Sequence, residues 1–179
     1  MALKLVSNRE CGDCSACCVT LRIQESDLKK QADVPCPNLK LEGGCSIYAE
    51  RPSVCRNWHC AWLYMSNLGD EWRPDRSGVI LRLEEDGVIL QAIRDPLVVL
   101  TSQLSLELIG GGIENNLSIS ISVPTRTGYC YSLVRINEHL KPAVISRDFQ
   151  AAQRSMSEMV VFASAQKQIL LLRLLKVAV

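Results

Sequence analysis

Eight cysteines, Cys11, Cys14, Cys17, Cys18, Cys36, Cys45, Cys55 and Cys60, crowd the first third of this 179-residue chain, and their type and spacing imply chemistry before anything else does. Four of them fall within the stretch "ECGDCSACCVT". If that stretch is helical, at about 100° per residue, the four sulfurs share roughly a third of the circumference. Thiols gathered on one face gain little from one another and oxidise readily, whereas a bound cation converts them to thiolates and offsets their repulsion. Metal chelation is therefore the simplest reading. Eight sulfurs suffice for two tetrahedral four-thiolate sites, for an iron-sulfur cluster beside a zinc site, or for a cluster with shared bridging thiolates. The side chains of adjacent Cys17 and Cys18 diverge and seldom both serve one mononuclear site, which favours two centres close together. Zinc, about two ions, is expected ahead of an iron-sulfur cluster, because four-thiolate zinc sites tolerate scattered spacings.

The compartment decides how such cysteines are read. The N-terminal "MALKLVSNRE" lacks the apolar run of a secretory signal, and the apolar "ILLLRLLKVAV" at 169–179 is short and interrupted by Arg173 and Lys176. A cytoplasmic protein without a membrane span is expected. In a reducing compartment clustered thiols are metal ligands or redox catalysts more often than disulfides. With 20 basic and 19 acidic residues the net charge is +1, so there is no electrostatic footprint for nucleic acid.

Read onward, the cysteines form "CGDCSACC", then "PCPNL", then "CSIYAERPSVCRNWHC". This pattern resembles the CxxCxxCC (YkgJ-type) cysteine-cluster family, described as a zinc- or iron-chelating domain, over about residues 8–62. The resemblance implies metal chelation by all eight cysteines and brings no agreed reaction with it. Some relatives of that family are flagellin lysine N-methylases with much longer chains; this sequence has no glycine-rich strand-turn-helix signature of the usual methyl-donor fold. A two-cluster ferredoxin shares C-x-x-C-x-x-C, but there a fourth cysteine followed by proline comes four residues on, and here Cys18 follows at once.

Around the cysteines, His59 reads as a neighbour of the site rather than a ligand, since eight thiols already suffice. Arg51 and Arg56 either donate to metal-bound sulfur or hold loop carbonyls. Tyr48, Trp58, Trp62 and Trp72 are expected to pack over the site and exclude water. Cys130 reads as a small buried apolar residue in a strand. His139, in "NEHLKP", is expected in a loop and outside any catalytic set. No nucleophile-base pair is legible, so no catalytic residue is assigned.

The elements that must position these residues divide at about residue 77. Residues 1–77, punctuated by Pro35, Pro37, Pro52, Pro74 and Gly43-Gly44, are expected to be short helices and loops wrapped round the site. Residues 78–179 are expected to form one compact unit with them. "GVILRL" and "VILQAI" predict a β-hairpin across "EEDG". Asp95-Pro96 starts a helix expected to run to about Leu108 and to end at Gly110–Gly112. Leu117, Ile119, Ile121 and Val123 alternate with polar residues, predicting a strand whose serine face, Ser118 to Ser122, is wet or turned to a partner; "YCYSLVRI" completes a second hairpin. A long helix is predicted from about Arg147, with Phe149, Met156, Met159, Val160 and Ile169 among its apolar positions. The expected fold class is α+β: a cysteine-rich metal-binding part on two antiparallel hairpins with a central helix and a long C-terminal helix. The expected role is a structural or protein-interaction module with a protein partner. The alternatives are an iron-sulfur redox or protein-modifying enzyme and a metallochaperone.

Overall fold

The computed structural model describes residues 4–125 and 131–166. Cys130 and the apolar run at 169–179 lie outside them, as does Ile169. The fold is α+β, with a two-stranded antiparallel sheet near the N-terminus and a four-stranded mixed sheet beyond it.

Both predicted hairpins form. The β3 strand Val79–Leu83 pairs antiparallel with β4 Gly87–Ala92, in register from Val79 opposite Ala92 to Leu83 opposite Val88. The β5 strand Ser118–Val123 likewise pairs antiparallel with β6 Ser132–Arg135. What the alternation pattern did not reveal is that β4 and β5 join the hairpins in parallel, Gly87 opposite Ser118 and Gln91 opposite Ser122. A parallel neighbour needs a crossover, which is supplied by the helices between them.

That crossover differs from the expected single helix. Asp95 caps α4, Pro96–Leu100, accepting from the Leu97 and Val98 amides at 2.9 and 3.4 Å. The chain then breaks at Thr101-Ser102, because Ser102 turns back to donate to the Val99 carbonyl at 2.8 Å and caps a second helix, α5, Gln103–Glu114. Gly110–Gly112 lie inside α5 rather than ending it. A Cβ on Gly112 would come within 2.6 Å of Ile119 Cδ1, so the missing side chain lets α5 lie close against β5. The helix stops instead at Asn115-Asn116, where Asn116 takes φ +57°.

"NEHLKP" is helical, not a loop: α6 spans Asn137–Ser146 with Pro142 inside it. Its start is anchored through Asn137, which accepts from the Ile119 amide and donates to the Leu117 carbonyl, each at 2.7 Å. Leu140 and Ala143 are buried, so tertiary packing overrides the proline. His139 meets Glu158 of α7 at 3.2 Å. The predicted C-terminal helix is α7, Phe149–Ser164, capped by Asp148, with Met156 and Val160 in the core and Phe149 largely exposed.

The pleat gives the mixed sheet two different faces. Val79, Leu81, Leu90, Ile119, Ile121 and Val123 join Ile109, Leu140, Met156 and Val160 of the helices in one hydrophobic cluster. Ala61, Trp62, Leu63, Leu68 and Trp72 belong to the same cluster, so a single core spans the boundary at residue 77. Ile80, Arg82, Ile89 and Gln91 point to the opposite face with the serines of β5. That serine face is not uniformly wet: Ser118 and Ser120 are half-buried, whereas Ser122 and its neighbour Gln91 are buried. Among the described residues no helix is long and apolar enough to cross a membrane.

Candidate functional site

The cysteine-rich part is short elements held by loops, as its glycines and prolines predict. Only Ala16–Thr20 of "ECGDCSACCVT" is helical, as α1. Gly12 takes φ +55° and the Cys14 amide donates to the Cys11 carbonyl at 2.9 Å, so Cys11 and Cys14 flank a tight turn and only Cys17 and Cys18 lie on the helix. The one-face helical projection therefore fails for half of the stretch. Cys36 follows β2, which is Lys29–Lys30 paired with β1, Ile23–Gln24. Cys45 pairs with Leu39 across the Gly43-Gly44 turn. Cys55 is in α2, Ser53–Asn57, and Cys60 precedes a 3₁₀ turn over Ala61–Leu63.

These separate elements bring all eight cysteines to the wall of one cavity of about 290 Å³. None of the eight is in a disulfide. Tyr48, Arg51, Trp58, His59 and Trp62 also line it, and the sheet contributes Ile80 and Arg82 from β3. Strand β3 thus serves two interiors, with Val79 and Leu81 in the core and Ile80 on the cavity.

The turn at Gly43-Gly44 is locked against the first cysteine loop. Both glycines have positive φ, at +94° and +78°; a Cβ on Gly43 would collide with the Asp13 carbonyl, and one on Gly44 would lie 2.7 Å from the Gly12 carbonyl. The Gly44 amide also donates to Ser15 Oγ at 3.2 Å.

Three cations that the sequence did not single out hold this part together. The Arg9 guanidinium donates to the carbonyls of Trp62 (2.6 Å), Met65 (2.9 Å) and Leu68, and lies 5.0 Å from the centre of the Trp62 ring. Lys30, only 6% exposed, donates to the Val19 (2.8 Å) and Leu21 carbonyls at the end of α1 and to the Gln31 carbonyl beside it (3.0 Å). Arg73 pairs with Asp13 and reaches the Cys11 carbonyl at 3.4 Å; it also faces Asp75 at 3.0 Å as an ion pair without hydrogen-bond alignment. No periodicity marks such residues, because each is held by backbone carbonyls that no repeat along the chain places beside it.

Of the residues that the sequence did single out, Arg51 holds loop carbonyls, donating to Cys55 and Tyr48 at 3.2 Å each while stacking 4.0 Å from the Tyr48 ring. Arg56 is exposed and does not line the cavity. His59 Nδ1 meets the Tyr64 hydroxyl at 3.1 Å. Desolvation, helped by nearby Arg51, lowers its pKa and favours the neutral ring. The aromatic lid is partial: Trp58 and Trp62 line the cavity and Tyr48 does so while 41% exposed, but Trp72 is in the core and not on the cavity.

The thiols themselves are poised by burial. Desolvation pushes Cys14 and Cys55 up and brings Cys60 to about 11. Cys17 gives its S–H to Cys18; this pushes Cys17 up and, with the Lys30 cation nearby, brings Cys18 down to about 7. Burial thus favours the neutral thiol at Cys14, Cys17, Cys55 and Cys60, and a bound cation would oppose it by stabilising their thiolates.

Whether these residues suit a metal is decided by the donor set and its surroundings. Eight reduced thiols on one wall are soft ligands of the type that zinc and iron-sulfur centres take. Trp62 Nε1, in that wall, is buried without an acceptor among the described residues, a donor of the type that thiolate sulfur accepts. The donors fit in kind. Among the described residues, however, no three or more His, Cys, Asp or Glu side chains form a ready cage for a metal ion. Ligation would require the wall to draw inward. No family model, curated protein or solved structure matches this chain.

Proposed function

We propose that this chain is a metal-binding protein that chelates zinc, about two ions, through Cys11, Cys14, Cys17, Cys18, Cys36, Cys45, Cys55 and Cys60, and that the bound metal fastens the N-terminal part for a structural or protein-interaction role. One observation carries the reading: eight unbridged thiols from five separate stretches of chain line a single cavity. Half-buried thiols gain little from converging on one another, whereas a cation stabilises their thiolate forms together. The residues ready to support bound thiolates are Trp62, through its unpartnered N–H, and Lys30, whose ammonium bears on Cys36 and Cys18. Because the cage is not closed beforehand, binding and local folding are one event.

The cavity volume favours a second reading. About 290 Å³ is far more than a single ion occupies, and it has room for the core of an iron-sulfur cluster; a redox or protein-modifying enzyme would then be the class. Protein purified without air separates the two. A colourless sample with about two zinc ions per chain supports the first, and a brown one with broad visible absorption and bound iron supports the second. Chelation of either is expected to lower the circular-dichroism signal and expose thiols. A metal-free chain with all its thiols freely titratable and an unchanged spectrum would overturn both.

A further inference from the structure

We infer that the cavity also takes a small organic monoanion, a carboxylate with an apolar body, seated against the sheet with its charge on Arg82. This goes beyond the metal reading, which accounts for the thiols and gives the rest of the wall no task.

The wall is lopsided in charge. Arg22, Arg51, Arg73 and Arg82 line the cavity, and among the described residues no Asp or Glu does. Arg51 and Arg73 are tied to the cysteine loops, Arg51 through the Cys55 carbonyl at 3.2 Å and Arg73 through the Cys11 carbonyl and the Asp13 carboxylate. Arg82 instead comes from the sheet. Its guanidinium donates to Gln91 Oε1 at 3.4 Å and makes a loose ion pair with Glu84 at 3.7 Å. Gln91 is 3% exposed, so the side chain that steadies Arg82 is itself fixed in the interior. Those two contacts leave most of the five N–H donors of the fork for another acceptor, and a guanidinium can meet a carboxylate with two parallel bonds. Because Glu84 already offsets part of the charge, a monoanion suits Arg82 better than a dianion such as a phosphate monoester.

A seat for an apolar body lies beside this charge. Ile80, two residues back on the same face of β3, lines the cavity together with Ile23 and Leu28 of the β1–β2 hairpin and Leu63 of the 3₁₀ turn. That turn packs on β3. Ile80 and Leu28 are 1% and 8% exposed, yet neither belongs to the hydrophobic cluster shared by the sheet and helices. Their apolar surface is thus turned to the cavity side rather than to the core. At about 290 Å³ the cavity lies at the low end for small-molecule sites, which run from about 300 to 1,000 Å³ and set a few placed polar groups in an apolar lining.

The test is calorimetric titration of the intact chain, purified without air, with hexanoate, hexanamide and acetate. Hexanoate carries charge and body, hexanamide the body alone and acetate the charge alone. Hexanoate is expected to bind about tenfold or more tighter than either of the others, the weight of one hydrogen bond to a charged group. Arg82→Gln is expected to bring hexanoate down to the level of hexanamide, and Arg82→Lys, which keeps the charge without the fork, to fall between. Ile23→Trp, which fills the apolar end from a half-buried position, is expected to abolish binding of both. Hexanoate bound no more tightly than hexanamide overturns the inference. So does hexanoate binding that is unchanged in Arg82→Gln, because the carboxylate is then held by a bound metal or another cation, and so does a folded Ile23→Trp chain that still binds it. Metal is counted on the same sample, and a loaded chain that ignores hexanoate overturns this inference while leaving the metal reading standing. Should Arg82→Gln fail to fold, Arg82→Lys and the wild-type ratio of hexanoate to hexanamide decide.

Discussion

Arg9 shows how much one side chain does for this site without lining it. Its planar fork spans the carbonyls of Trp62, Met65 and Leu68 while its face covers the Trp62 ring. A lysine keeps the charge but not the fork. Arg9→Lys is therefore expected to lower stability by about 1.5–3 kcal/mol, the range for hydrogen bonds to charged groups, read as a lower urea midpoint at unchanged slope. A midpoint equal to that of the wild type would show that the carbonyls find other donors. Lys30 plays the matching part between the end of α1 and its own strand, where the Val19, Leu21 and Gln31 carbonyls converge on its ammonium. In both places a cation satisfies the loose backbone that irregular structure creates.

At the scale of elements, the three glycines of α5 were read as a helix terminus and are instead part of its wall. Their surroundings differ. Nothing lies within 4 Å of a Cβ on Gly110, whereas one on Gly112 meets Ile119 Cδ1 at 2.6 Å. Gly110→Ala is expected to stabilise the protein by about 0.5–1 kcal/mol, the ordinary helix gain. Gly112→Ala is expected to lose that gain to overpacking and to lower the melting temperature. Equal shifts of the two variants in a thermal melt would show that α5 and β5 are not in close contact there. The same close approach makes the parallel pairing of β4 with β5 workable, since the crossover helices must lie flat on the strands they connect.

For the molecule as a whole, the Tyr131 hydroxyl donates to Asp33 Oδ1 at 2.6 Å and ties the mixed sheet to the segment after β2. Burial, then the Asp33 carboxylate, pushes the phenol's pKa up. The neutral phenol is thus favoured in the fold. Above pH of about 10 the unfolded chain loses this proton first, so the contribution is whole below that pH and declines as pH rises through it. Tyr131→Phe is expected to cost about 1–2 kcal/mol at neutral pH, with the gap from wild type narrowing as pH rises above about 10. A gap that stays constant across that range would mean that the phenol's proton is not held by the fold. The core that spans residue 77 gives the same picture from the apolar side: Trp62, Leu63 and Trp72 from the cysteine-rich part share one cluster with the sheet and helices.

How far each feature could be read from the sequence follows from how local its cause is. The hairpins at Val79–Ala92 and Ser118–Arg135 were legible because alternation along a strand is a local pattern. The capped start at Asp95 was legible because a cap acts within three residues, and the start of α7 near Arg147 was legible from its apolar spacing. The helix over Asn137–Ser146 was not, since its anchor is a side chain bonded to β5 and its proline is outweighed by burial of Leu140 and Ala143. For the site, the eight cysteines were legible by type and number, and a helical projection placed Cys11 and Cys14 on a face that the Gly12 turn denies them. By itself the sequence determined the thiol inventory, the local strands and the capped helix start at Asp95. Only the tertiary structure decided that five stretches meet at one cavity, that β4 and β5 run parallel, and that Arg9, Lys30 and Arg73 hold the loops. The physical reason is that convergence, crossover and backbone satisfaction depend on contacts between residues far apart in sequence, which no period along the chain encodes.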